Sequence, residues 1–285
     1  MTTAPLEFAI LSDTHFVPGG GQLYGLNPRS RLEAAVALIN ADHADVAFVL
    51  IAGDLAHWGE TGAYEALRDT LATLGPPVLL MMGNHDKRAP FREIFPDAPN
   101  DGAGFVQSFR VHDQASLITL DTLDEDGATG ITHRGYLCET RLGFLERALS
   151  EAPTDRPLIL AQHHPCCDLG LPSLDAIRLD NPDAEAAIFA RAGRKPDIML
   201  HGHVHRPVFG CWHGIPFHIQ RALNHQVAYD PAQTDHIPGS HEGPDLVIAR
   251  VTDGTIVLHQ RPILYEGPVF SMSNPEAIAG RISGA

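Results

Sequence analysis

Five groups of polar residues in this chain have the types and spacing of metal ligands. In order they are Asp13-Thr14-His15, Gly53-Asp54, Gly83-Asn84-His85-Asp86, His163-His164 and Gly202-His203-Val204-His205. Residues two apart on extended backbone point to the same side, so Asp13 with His15, and His203 with His205, each present two donors to one place. Carboxylate, amide oxygen and neutral imidazole without thiolate suit Mn, Fe, Zn or Co better than a Cys-type structural zinc site. Singly the groups say little, because Gly-Asp is a common turn dipeptide and Gly-Asn-His-Asp or Gly-His-x-His can each be a capped turn. Their occurrence together and in order points to one site. Glycine ahead of Asp54, Asn84 and His203 lets backbone pass close to an ion or phosphate.

The elements that must position these groups are short apolar runs of strand length at 6–11, 46–51, 78–82, 158–161 and 198–200. Each polar group follows the carboxyl end of one of them, the edge where open α/β sheets bind ligands. Helical spacing at 31–40, 64–74 and 142–149 falls between strands, as in βαβ units around a largely parallel sheet. The runs at 105–111, 116–120, 208–212, 216–219, 246–251 and 255–259 lack intervening helices and predict hairpins. Two sheets packed face to face with helices outside accommodate both kinds of segment. One domain over 1–266 is expected, with 230–244 as a long surface loop and 267–285 as a tail.

The 285 residues carry 20 basic and 35 acidic side chains, a net charge of -15, and 44% are apolar. Such a chain buries a full core, which excludes disorder, and its charge repels a polyanion, so no nucleic-acid polymer is expected as a partner. No apolar run reaches the length of a membrane span, and the start has no basic n-region, which leaves the cytoplasm as the expected compartment. Four cysteines suggest no disulfide framework. The unusual count is 17 histidines beside two lysines, Lys87 and Lys195.

The five blocks resemble those of the calcineurin-like metallophosphoesterases, D-x-H, G-D, G-N-H-D/E, H and G-H-x-H in that order. Ser12-Asp13-Thr14-His15-Phe16, Leu23-Tyr24-Gly25 and Asn224-His225-Gln226-Val227 are similar to the bacterial class III cyclic nucleotide and glycerophosphodiester phosphodiesterases. The resemblance implies an α/β fold, a four-layer α-β-β-α sandwich (the metallophosphatase fold) with two mixed sheets. It also implies two divalent cations, one held by Asp13, His15, Asp54 and His205, the other by Asp54, Asn84, His163 and His203, with Asp54 bridging. His164 then points away as a packing residue. Two such cations lower the pKa of a shared water, and the resulting hydroxide attacks the phosphorus in line. His85 corresponds to the family histidine that meets the phosphate or protonates the leaving oxygen, and Asp86 either orients His85 or caps the turn.

Around that centre Asn84, His85, Tyr24, His57 and His225 are the expected substrate contacts, with Trp58 a further candidate. Cys166 stands where this branch commonly carries a second proline. The expected substrate is a small soluble phosphodiester of the glycerophosphodiester or 3',5'-cyclic nucleotide type. The alternatives are a phospholipase C-like hydrolase of phospholipid head groups and a non-catalytic metal-binding scaffold. The branch also allows a homo-oligomer, dimer or higher, with the tail as an arm. His133 and His241 carry no motif and are read as surface or satisfied core residues.

Overall fold

A computed structural model describes residues 4–273. The amino-terminal half runs β1 (Leu6–Leu11), α1 (Pro28–Asp42), β2 (Val49–Ile51), α2 (Thr61–Leu71), β3 (Val78–Leu80) and α3 (Arg88–Ile94). Next come β4 (Ser108–Val111), β5 (Ser116–Leu120), α4 (Glu139–Glu151), β6 (Leu158–Gln162), α5 (Pro172–Asp175), α6 (Pro182–Ala192) and β7 (Ile198–His201). The chain closes with β8 (Val208–Trp212), β9 (Ile215–Ile219), β10 (Gln226–Val227), β11 (Gly239–Ser240), β12 (Asp245–Thr252) and β13 (Thr255–Pro262).

Two mixed sheets result, ordered β13-β12-β1-β2-β3 and β4-β5-β6-β7-β9-β8, with β10 and β11 pairing as a small separate ribbon. β1, β2 and β3 are parallel, as are β5, β6, β7 and β9, while β12, β13, β4 and β8 run antiparallel to their neighbours. The inner strands β2, β5 and β6 are buried along their whole length because both faces of the sheets are covered there, while the edge strands β4, β8 and β13 are partly exposed. In β1, Ala9 and Leu11 pack with Leu32, Val36 and Leu67 of α1 and α2. Phe8 and Ile10 point the other way and meet Leu117, Ile159 and Leu200 of the second sheet. Leu158 and Leu160 of β6 lie on that sheet's far side with Leu145, Leu149 and Ile188 of α4 and α6. Three apolar layers therefore separate four layers of structure, α-β-β-α.

α1 starts as its sequence dictates: Asn27 Oδ1 accepts the Ser30 N–H and Pro28 occupies the first turn. The strand expected at 105–111 begins only at Ser108, because the Val106 N–H donates to Asp121 Oδ2 instead of to a ladder partner. Helices α3, α5 and α6 are additional to those the spacing predicts; α6 is rich in alanine, which blurs its periodicity. The expected arm at 267–285 lies outside the described residues from 274 onward.

Candidate metal centre

The carboxyl ends of β1 and β2 stay joined beyond the strands, as the Asp13 N–H donates to the Gly53 carbonyl at 3.0 Å and the His15 N–H to the Asp54 carbonyl at 2.9 Å. Asp13, His15, Asp54, His203 and His205 all have φ between 47° and 72°, in the left-handed region. Non-glycine residues enter that region at a cost of about 1–3 kcal/mol each and do so mainly at functional sites. The bends aim consecutive strand ends at one point. Backbone must also come close: a Cβ at Gly83 would collide with Asp54 Oδ1, and one at Gly202 with Ser12 and Asp13.

Two groups of donors share Asp54. In the first, His15 Nε2 is 3.0 Å from His205 Nε2 and 3.5 Å from Asp54 Oδ2, and His205 Nε2 is 3.3 Å from Asp13 Oδ1. In the second, Asn84 Oδ1 is 2.7 Å from His203 Nδ1 and 3.1 Å from His163 Nε2, which is 3.4 Å from Asp54 Oδ2. Atoms coordinating one ion at about 2.0–2.1 Å lie about 3 Å from each other, so these spacings fit cation ligands. Asp13 Oδ2 and His203 Nε2 are buried without a hydrogen-bond partner, a costly state for polar atoms that a bound cation relieves at the carboxylate.

Surrounding groups set the tautomers. His163 Nδ1–H donates to the Ala52 carbonyl at 2.7 Å and His205 Nδ1–H to the His225 carbonyl at 2.8 Å, leaving each Nε2 lone pair for an ion. His15 and His57 meet through their Nδ1 atoms at 3.1 Å. Burial holds His15 and His203 well below the usual histidine pKa. Burial also opposes charge on His163, yet Asp54 and Asp13 push that ring up to about 9. Asp13 likewise raises His205 against burial. Asp54, though burial opposes its ionisation, is held well below the carboxylate range by His163 and His85. The field that draws protons to these rings is the field that draws cations between them, and cation binding releases the protons.

The centre opens into a cavity of about 680 Å³. Asn84, His85, His57, Tyr24 and His225 all line it, whereas Trp58 does not. His85 Nδ1–H donates to the His57 carbonyl at 2.7 Å. Tyr24 stands edge-on to His225, their rings 4.7 Å apart. Burial lowers His57 to about 4 and His225 to about 2, so both are neutral at pH 7.

Asp86 does not orient His85. Its carboxylate accepts the N–H groups of Leu55, Ala56 and Gly83 at 2.9–3.1 Å and the Tyr64 hydroxyl at 3.0 Å, clamping the Asp54 turn to the Asn84 turn. Burial, and then the charge of Asp54, pushes the Asp86 carboxyl up to about 7 against those donors. His164 turns away and bonds Thr122 Oγ1 at 2.7 Å. Spacing missed His133 and His241, which also line the cavity, along with Ile237, Gly239 and Ser240 of the 230–244 loop. His241 Nε2–H donates to the Tyr24 carbonyl at 2.8 Å, drawing that loop over the site. No local signal marks these two histidines; only chain return brings them in.

The calcineurin-like phosphoesterase family model matches residues 6–207. Over 273 residues the chain is 55% identical to a probable cyclic nucleotide phosphodiesterase of Rhodopseudomonas palustris, covering 96% of this chain and 98% of that protein. It is 29% identical over 225 residues to the glycerophosphodiester phosphodiesterase GpdQ of Enterobacter lignolyticus, covering 78% of each. Its fold is similar to that of a dimetal phosphatase from Danio rerio, with a TM-score of 0.64 at 13% identity, over 92% of this chain and 98% of that one.

Proposed function

The chain belongs to the calcineurin-like phosphoesterase family, and on that premise we propose that it is a metal-dependent phosphodiesterase cleaving a small soluble phosphodiester of the 3',5'-cyclic nucleotide or glycerophosphodiester type. The observation that carries this reading is the sharing of Asp54 between two donor groups at the floor of one cavity. In this reading Asp13, His15, Asp54 and His205 hold one divalent ion and Asp54, Asn84, His163 and His203 the other, drawn from Mn, Fe, Zn or Co. Such a pair, when bound, supplies Lewis acidity that acidifies water and neutralises phosphate oxygens.

The protein's own groups do the rest. His85, with Nδ1–H committed to the His57 carbonyl, presents Nε2 to the cavity. There the imidazolium form, with a second proton on Nε2, would serve the departing alkoxide and return to the Nδ1–H tautomer. Neutral His57 and His225 donate or accept hydrogen bonds without adding charge. Leu174, Ile177 and Ile237 give the cavity an apolar wall, and its volume suits a small ligand. No helix among the described residues is long and apolar enough to cross a membrane. All four cysteines are free, which supports a cytoplasmic location. A homo-oligomer is compatible with this reading.

Turnover of cAMP, glycerophosphocholine and a phosphatidyl lipid, each with and without chelator, tests it. Chelator-sensitive hydrolysis of one of the two soluble diesters is expected. Activity on the lipid alone makes the enzyme phospholipase C-like, and no hydrolysis with any of the four metals makes it a scaffold.

A further inference from the structure

His133 lies outside every polar block, yet it touches the centre in two ways. Its Nδ1 is 2.9 Å from Asn84 Nδ2. An amide nitrogen only donates, so His133 Nδ1 is the acceptor. That bond turns Asn84 Oδ1 the other way, toward His203 Nδ1 at 2.7 Å and His163 Nε2 at 3.1 Å. The His133 ring also stacks on His85, centroids 4.5 Å apart at 24°, while His57 stacks on His85 at 4.8 Å and 18°. His85 is thus held between two imidazoles.

The segment carrying His133 is itself anchored to the second sheet. His164 Nε2–H donates to the His133 carbonyl at 3.2 Å, and a Cβ at Gly135 would run into the His164 ring. His133 has φ 68°, a left-handed conformation that asparagine tolerates better than most residues. An unrestrained Asn84 amide can rotate its –NH2 toward the His163 and His203 rings, presenting donors where a cation requires an oxygen.

We propose that His133 is a positioning residue: its Nδ1 locks the Asn84 amide with Oδ1 facing the point shared by His163 and His203, and its ring sets the tilt of His85. This rests on the reading that those three residues hold a divalent ion.

The test is calorimetric titration of Mn²⁺ into metal-stripped, full-length protein. The set comprises wild type, Asn84→Ala, His133→Ala, His133→Phe, His133→Asn and the Asn84→Ala/His133→Ala pair. Phe keeps the stack but lacks the acceptor, and Asn places an acceptor oxygen close to the position of His Nδ1. Wild type binds two ions. His133→Ala and His133→Phe raise one Kd about 10- to 100-fold, as loss of an outer hydrogen-bond partner does. It is the same Kd that Asn84→Ala raises, the other staying within about twofold; His133→Asn restores it. In the Asn84→Ala background the His133 change adds nothing. Unchanged binding, equal weakening of both sites, or additive losses in the pair would each overturn the proposal. Wild type binding fewer than two ions overturns the functional reading and the inference with it, and that result appears before any substitution is compared.

Discussion

The backbone N–H of His85 donates to Asp54 Oδ1 at 2.9 Å, while Asp54 Oδ2 faces His15 and His163 at 3.5 and 3.4 Å. The residue proposed to protonate a leaving group is thereby tied to the carboxylate shared by both donor groups. Asp54→Asn keeps the shape, but with its oxygen accepting the His85 N–H it puts an –NH2 donor where Oδ2 faces His15 and His163, so both proposed ions lose the shared ligand. Hydrolysis should fall at least about 100-fold with an unchanged circular dichroism spectrum. Retention of two bound Mn²⁺ and of wild-type turnover would remove Asp54 from the bridging role.

His85→Ala should cost about 10²–10⁴-fold in kcat/KM on a diester whose leaving group is a poor one, since an alkoxide needs its proton. On bis(p-nitrophenyl) phosphate, whose leaving group departs without help, the loss should be much smaller. Equal losses on both substrates would contradict proton delivery by His85.

The Asp86 clamp predicts a stability effect rather than a loss of acid catalysis. Asp86→Ala strands the N–H groups of Leu55, Ala56 and Gly83 in the interior, at about 1–3 kcal/mol for each group that water cannot reach. The Tm of the metal-free protein should drop by several degrees. The dependence of kcat/KM on leaving group should match wild type in whatever fraction binds metal. An altered leaving-group dependence at normal Tm would restore a catalytic role to Asp86.

Glu185 supplies a pH-dependent prediction away from the centre. It is fully buried on α6, where Oε2 accepts from Cys166 Sγ–H at 3.0 Å and Oε1 has no partner. Burial pushes its pKa up to about 7 from 4.5. Because the folded value exceeds the unfolded one, its contribution is present in full below about pH 4.5 and lost as pH rises through about 7. The difference is on the order of 3 kcal/mol. Glu185→Gln should therefore unfold several degrees above wild type at pH 8 and within about a degree of it at pH 5. A Tm advantage equal at both pH values would show that Glu185 does not titrate in this window.

The strands at 116–120 and 208–212 match β5 and β8 residue for residue. β5 is buried throughout, whereas β8 is an edge strand with Phe209, Gly210 and Cys211 exposed, so there β-forming residues between turn signals, not burial, carried the reading. α6 was not legible, since alanines carry little amphipathic signal, and the role of Asp86 was not, since a carboxylate capping a turn and one orienting an imidazole look alike in sequence. His133 and His241 were illegible for another reason: what they touch lies 49 and 217 positions away, on Asn84 and Tyr24.

Residue order alone determined the chemistry on offer, a run of carboxylate, amide and imidazole donors at successive strand ends, because a strand's end fixes where the next side chains emerge. Tertiary structure decided which side chains outside those ends reach the cavity, how each imidazole is protonated and what Asp86 holds. Those outcomes depend on contacts between segments distant in the chain, and local spacing carries no record of them.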